Sequence, residues 1–356
     1  MRARLLGFVL LASILAGTSL AEDASPDALI AAGHWKRARA IAEQRLRANS
    51  NDADANYLMG RIKLAYGDLN GALPFAEKAV ALDAKNAEYR YLLAGVYGQK
   101  AESAGIFSQF GLARRFKKEA ETALSLDPRY IDARLGLIQF HLQAPGIVGG
   151  DEKKARKLAD EIRQIDAARG YLAQVDIARH DKQTAQFESL LQKAVEADPR
   201  YYPAVMALAN FYASDAQKKY DLAEKHARDA LKLDPGRVSA YNLLAALFAM
   251  QKRWQDLDAI LAQAEKNVPD NLSPYYQAGR LLLNPGSDLP RAENYFRKYL
   301  TQEPEPGAPQ HAHAYWRLGL ALEKQGRKPE AINALETAVR LKPDLAEAKK
   351  DLKRLK

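Results

Sequence analysis

Two histidines one residue apart, His311 and His313, come closest in this 356-residue chain to a metal-binding pattern. Such a pair holds a metal when further ligands join it. No His-rich or Asp-rich stretch accompanies it, and the pair reads as an exposed loop beside a proline-rich linker. The glycine-rich stretch Pro145 to Asp151, followed by Lys153 and Lys154, invites comparison with a phosphate loop. It lacks the Gly-Lys-Ser/Thr ending and the strand-to-helix setting of such a loop, so it reads as an enlarged turn. There is no Gly-x-Ser-x-Gly elbow, no His-Glu-x-x-His helix and no cysteine. Thiolate metal sites, cysteine nucleophiles and disulfides are therefore excluded. The acidic residues single out no acid–base pair, and the reading is of a non-enzyme without cofactor or metal.

The elements that would position any site are short helices. Residues 313–343 show the unit. Tyr315, Leu318, Gly319 and Leu322 form one apolar stripe at helical spacing, and Ala331, Leu335 and Ala338 form a second. Gly326 separates the two, Pro329 suits the first turn of the second helix, and Pro343 ends it. Gly319 and Ala331 are small enough for the helices to cross closely. A pair this small cannot bury its own apolar faces and needs neighbours stacked on it.

The order Tyr315, Leu318-Gly319, Leu322, Gly326, Ala331, Leu335, Ala338, Pro343 resembles the tetratricopeptide repeat (TPR), with Tyr, Leu and Leu at three usually aromatic places. Pro199, Pro235, Pro269 and Pro304 follow one another at 36, 34 and 35 residues, near the 34-residue period of that family. The resemblance implies an all-α, right-handed solenoid of stacked antiparallel helix pairs, a TPR superhelix. About nine repeats are expected over 22–344, with insertions near 99–114 and 144–151. A capping helix is expected over 345–356, with Leu345, Leu352 and Leu355 inward. The second helix of the third repeat is expected from about Arg115 to Leu126. Within the family the chain is similar to exported bacterial members, including T-component proteins of some TRAP transport systems.

Residues 1–21 read as a secretory signal: Arg2 and Arg4, an apolar run from Leu5 to Ala16, and small residues Ser19 and Ala21 before cleavage after Ala21. The expected location is periplasmic, with no stable membrane insertion after cleavage. Formal net charge is +9, and loss of Arg2 and Arg4 leaves +7. An exported chain meets little nucleic acid, so no nucleic-acid partner is expected, and the positive balance serves solubility.

The family resemblance implies that the first helix of each pair lines a concave groove, with its fifth and ninth repeat positions left free by packing. Those positions hold Tyr57, Arg61, Tyr91, Gln139, Asn210, Asn242, Tyr276, Arg280 and Trp316. Aromatics anchor partners, and amides and arginines bind peptide groups and carboxylates. The expected function is a scaffold or adaptor that holds a protein or peptide partner in the envelope. The rival is a small-ligand-binding component of an envelope transport system, whose pocket would be lined by Phe107, Phe110 and the Pro145–Gly150 loop.

Overall fold

A computed structural model describes residues 25–284 and 288–356. The leader read at 1–21 lies outside the described residues. Nineteen α-helices account for the ordered chain among the described residues. Nine antiparallel pairs follow one another: α1 (Pro26–Ala32) with α2 (Trp35–Ala48), α3 (Ala53–Ala65) with α4 (Leu69–Leu82), and α5 (Ala87–Ser103) with α6 (Ile106–Leu126). Next come α7 (Ile131–Gln143) with α8 (Glu152–Ile165), α9 (Ala167–His180) with α10 (Phe187–Ala197), and α11 (Tyr202–Ala213) with α12 (Tyr220–Leu233). The last three are α13 (Val238–Met250) with α14 (Trp254–Asn267), α15 (Ser273–Leu281) with α16 (Leu289–Tyr299), and α17 (His311–Lys324) with α18 (Lys328–Leu341). A single helix, α19 (Ala346–Leu355), closes the array. This is the all-α solenoid expected from the repeat pattern. No described helix is long and apolar enough to cross a membrane.

Local chemistry sets these boundaries. Ser25, Asp52, Asp68, Asn86, Asp151, Asp166 and Asp288 cap helix starts, each accepting a backbone N–H from the first turn, which satisfies donors that have no partner inside the helix. Gly319 allows the expected close crossing: a Cβ there would stand 2.8 Å from Leu335 Cγ and 3.3 Å from the Ala331 carbonyl oxygen. Cores of alanine and large aliphatic residues run between the pairs, with Tyr241, Leu244, Phe248, Leu257 and Phe296 at most 1% exposed.

The extra length near 99–114 is not a loop. It extends α5 to 17 residues and α6 to 21, so that α6 begins about nine residues before the expected Arg115. The stretch has no proline to stop a helix, and Gly105 is its only break. The second insertion is a tight turn containing one 3-10 segment, Gly146–Val148, with Val148 buried and the His141 imidazole Nδ1 3.0 Å from the Gly149 carbonyl oxygen.

First helices of successive repeats touch from α3 through α5, α7, α9, α11 and α13 to α15, while the second helices make no comparable contacts with one another. Elements that touch their own successors lie on the smaller radius, so the first helices form the inner, concave wall. The superhelix also meets itself. His34, between α1 and α2, binds Asp270 across 236 residues, and Tyr66, after α3, binds Glu305 across 239. At about 34 residues per repeat that is one turn of about seven repeats. The Glu303–Pro309 stretch is therefore docked, not a free linker: Glu305 is 3% exposed.

Candidate functional site

Side chains from the first four repeats converge on the inner wall near the N-terminal end. The Tyr57 ring on α3 lies 5.1 Å from that of Tyr89 on α5, and the Arg61 guanidinium is 5.2 Å from the Tyr57 ring. Arg61 is held in turn by the Asp27 carboxylate of α1. Tyr91 meets Tyr130, just before α7, edge-on at 5.5 Å. Tyr57 and Glu88 lie near enough to Tyr130 to disfavour its ionisation, which brings the start of repeat four close to repeat two. Gly136 on α7 makes the space for Tyr91, since a Cβ there would lie 2.6 Å from the Tyr91 hydroxyl oxygen. Burial pushes the Tyr91 hydroxyl up to about 12 and raises those of Tyr57 and Tyr130 further. All three stay neutral phenols that donate and accept hydrogen bonds.

The wall continues in the same chemistry. Asp132 on α7 binds the guanidinium of Arg169 on α9, whose Nε is buried without a hydrogen-bond partner. Burial raises the hydroxyl of Tyr201, before α11, and Arg169, Asp132 and Arg237 lie near enough to act on its ionisation. Arg237 stands 4.6 Å from the ring of Tyr202. Along repeats two to seven, runs of aromatic rings are thus bounded by the guanidinium groups of Arg61, Arg169 and Arg237. Rings offer apolar area with a polar tip, and guanidinium groups offer forked donors.

Residues 208–271 and 276–346 match the tetratricopeptide repeat family model. Those two segments carry tetratricopeptide repeats. Solved structures similar to it include that of yeast Tom70, at 14% identity and a TM-score of 0.48, covering 93% of this chain and 86% of that one. The Cut9-Hcn1 hetero-tetramer of APC/C is similar at 13% identity and 0.41, covering 93% and 88%. YrrB, described as a TPR protein with an unusual peptide-binding site, is similar at 19% identity and 0.36, covering 55% and 97%. No curated protein matches the chain.

The nine groove positions read from the tetratricopeptide repeats do not share one fate. Tyr57, Arg61 and Tyr91 come together in the cluster described above. Gln139, Asn210 and Arg280 are exposed on α7, α11 and α15, with Arg280 Nε donating to Gln277 at 2.7 Å. Asn242 accepts the Ser273 hydroxyl at 2.9 Å and ties α13 to α15. Tyr276 was expected on an open surface but is 7% exposed. Its ring is enclosed by Phe296 and Tyr299 at 5.8 and 5.3 Å, and Tyr299 is itself fastened by its hydroxyl to the Pro309 carbonyl at 2.5 Å. Trp316 is half-buried and donates Nε1–H to Asp351 of α19 at 2.8 Å, because the capping helix stands where a further first helix would.

Tyr130, Arg169 and Tyr201 were missed by looking only at two repeat positions. A signal for two of them exists: Asp-Pro-Arg-Tyr occurs at 127–130 and again at 198–201. The histidine pair is also placed differently from expectation. Both residues lie in the first turn of α17, and His311 Nε2 is 2.7 Å from the Gln302 carbonyl oxygen. Clefts of about 220 and 420 Å³ are lined by other residues than Phe110 or Pro145–Gly150, and the Phe107 side chain lies outside the described residues.

Proposed function

We propose that this tetratricopeptide-repeat protein is a non-catalytic scaffold of the cell envelope, exported with a leader cleaved after Ala21, that holds a segment of a partner protein on its inner wall. The observation that carries the reading is the row Tyr57, Tyr91, Tyr130 and Tyr201 interleaved with Arg61 and Arg169, with Tyr57 backed by the buried Tyr89. Tyrosine and arginine are the residues enriched where proteins bind one another. The rings are already fixed by neighbouring rings, so binding need not freeze them, which favours affinity. The segment best suited to such a wall is extended and carries carboxylates and apolar side chains.

The test is a crosslinked pull-down from the native envelope, with wild type compared against a Tyr57→Ala, Arg61→Ala, Tyr130→Ala variant of unchanged helicity. One protein crosslinked by the wild type and at least about tenfold depleted with the variant supports the wall as the site. Equal capture by both removes the site from the wall. Sequencing the N-terminus of the envelope form tests export separately, with Glu22 as the expected first residue.

A further inference from the structure

At the seam where the superhelix meets itself, cations are matched by anions: Arg37 pairs with Asp270 at 3.0 Å and Arg39 with Glu303 at 3.2 Å. The edge of repeats three and four is different. Residues 99–118 and 144–157, which contain the two insertions, hold nine lysines and arginines against three acids. That balance of +6 is two-thirds of the +9 of the whole chain. Arg114, Arg115 and Lys118 on α6 are exposed, as are Lys153 and Lys154 at the start of α8. Among the described residues, no acid pairs with Arg114, Lys118 or Lys153.

The two insertions form one projection. Successive first helices lie side by side in the same direction, so their C-terminal ends share one edge of the solenoid. On that edge α5 reaches further than its neighbour, with 17 residues against 13 in α3. At 1.5 Å per residue the extra turn carries α5, and the start of α6 with it, about 6 Å outward. The turn before α4 stays level with Lys100, whose Nζ donates to the Asn70 side chain at 2.8 Å. The second insertion lies alongside. The Gly146–Val148 segment touches α6, and a Cβ on Gly149 would stand 2.9 Å from the Lys117 Nζ. Val148 is buried, while Ile147 beside it is 79% exposed; no other exposed large apolar side chain among the described residues exceeds 49%. The tip is thus apolar and convex, with cations on both sides.

We propose that this edge is a membrane-docking surface: it rests the solenoid on a bilayer that carries anionic headgroups, with Ile147 entering the interface. A convex tip gives a partner protein no groove in which to seat its own side chains, whereas a fluid interface needs no matching shape. Lysine and arginine heads stay at the level of the headgroup phosphates while their stems cover apolar surface. Each cation held near an anionic surface strengthens attachment about fivefold, and a cation without an acidic neighbour gives up no ion pair on docking. One isoleucine buries less than a lipid chain, and a single lipid chain already anchors only marginally. Attachment is therefore reversible and set by charge. The inner wall stays free, because the docking edge is made of helix ends and loops and the wall of the flanks of the first helices. The net charge thus does more than keep the chain in solution.

The test is co-sedimentation with vesicles of phosphatidylcholine alone or with about 30% phosphatidylglycerol, at about 0.1 M salt. The chain is used from Glu22, which keeps every described residue and removes the apolar Leu5–Ala16 run with its own affinity for lipid. Binding is expected to be at least about tenfold stronger to the anionic vesicles and to fall as salt rises. Arg114→Gln, Lys118→Gln and Lys153→Gln together are expected to weaken it about tenfold or more. Lys349→Gln, Lys350→Gln and Lys353→Gln on α19, also exposed, remove the same charge and are expected to leave binding unchanged. Equal loss in the two variants overturns the proposal, because net charge alone would then explain it. So does equal binding to both kinds of vesicle, or no binding to the anionic ones, which gives the patch to an acidic protein instead. The chain has no cysteine, so Ile147→Cys can carry an environment-sensitive fluorophore. Its emission is expected to shift to the blue on anionic vesicles, and unshifted emission from bound protein overturns the docking geometry.

Discussion

The carboxylate of Glu305 accepts the backbone N–H of Lys36 at 3.2 Å, across 269 residues of chain. Burial is the larger influence on this carboxyl and raises it above the ordinary glutamate range, in spite of Lys36 beside it. The folded state therefore binds the Glu305 proton more tightly than the unfolded state. Its contribution to stability is full below the ordinary range near pH 4 and is lost as pH rises through the raised value. Glu305→Gln keeps an oxygen for the Lys36 N–H and mimics the protonated form. Urea melts at about pH 5 and 7.5 should show the variant gaining on the wild type at the higher pH. A difference that is the same at both, or that shrinks, would contradict the argument.

Gly319 and Leu335 define the crossing of α17 and α18. Alanine in place of a helical glycine ordinarily gains about 1 kcal/mol. Here the added Cβ meets Leu335 Cγ at 2.8 Å and the Ala331 carbonyl oxygen at 3.3 Å. The carbonyl belongs to the backbone and cannot swing aside, and overpacking of this kind costs about 1–3 kcal/mol. Gly319→Ala is expected to destabilise on balance. Because each repeat touches only its neighbours, hydrogen exchange should accelerate in α17 and α18 and remain unchanged in α3 to α8.

The architecture was legible because a helix pair writes itself locally: Leu318-Gly319, Gly326 and Pro343 are close in the chain, and their roles are set within one repeat. The inner wall was legible in part. Tyr57 and Tyr91 occupy repeat positions that rest against the next first helix and stay partly exposed. Tyr276 occupies the same kind of position, yet the chain after α16 folds back and pins Tyr299 over it. Nothing within one repeat announces that event. The seam was not legible at all. His34, Asp270 and Glu305 are ordinary helix-end residues in sequence, and only the curvature accumulated over about seven repeats brings them together.

Three lysines show where the turn chemistry is less than optimal. Gly67 and Gly326, two residues before a second helix, have φ of 76° and 79°. Lys218 and Lys252 stand at the matching places before α12 and α14 with φ of 50° and 56°, and Lys182 has φ of 59°. The left-handed region costs a side-chain-bearing residue about 1–2 kcal/mol, part of which glycine returns as chain entropy on folding. Lys218→Gly should stabilise repeat six by about 0.5 kcal/mol, read as a small upward shift in the urea midpoint. A shift downward would mean that the lysine side chain contributes more than the backbone strain takes away.

Trp316 tests whether the last helix depends on a single polar tie. Its indole Nε1–H donates to the Asp351 carboxylate at 2.8 Å. A second link, from Arg354 to Glu323, joins α19 to α17 at the surface, where solvent screening leaves such a pair little weight. The apolar contribution is small too, since within α19 only Ala348 and Leu355 are buried. A hydrogen bond to a charged acceptor is worth about 1.5–3 kcal/mol, a large share for a ten-residue helix. Trp316→Phe retains the ring packing and removes the donor. Hydrogen exchange over 346–355 should then speed up by about tenfold or more, while α17, held by α18 and by its own core, should change little. Unaltered protection of α19 would show that the apolar face alone docks the cap.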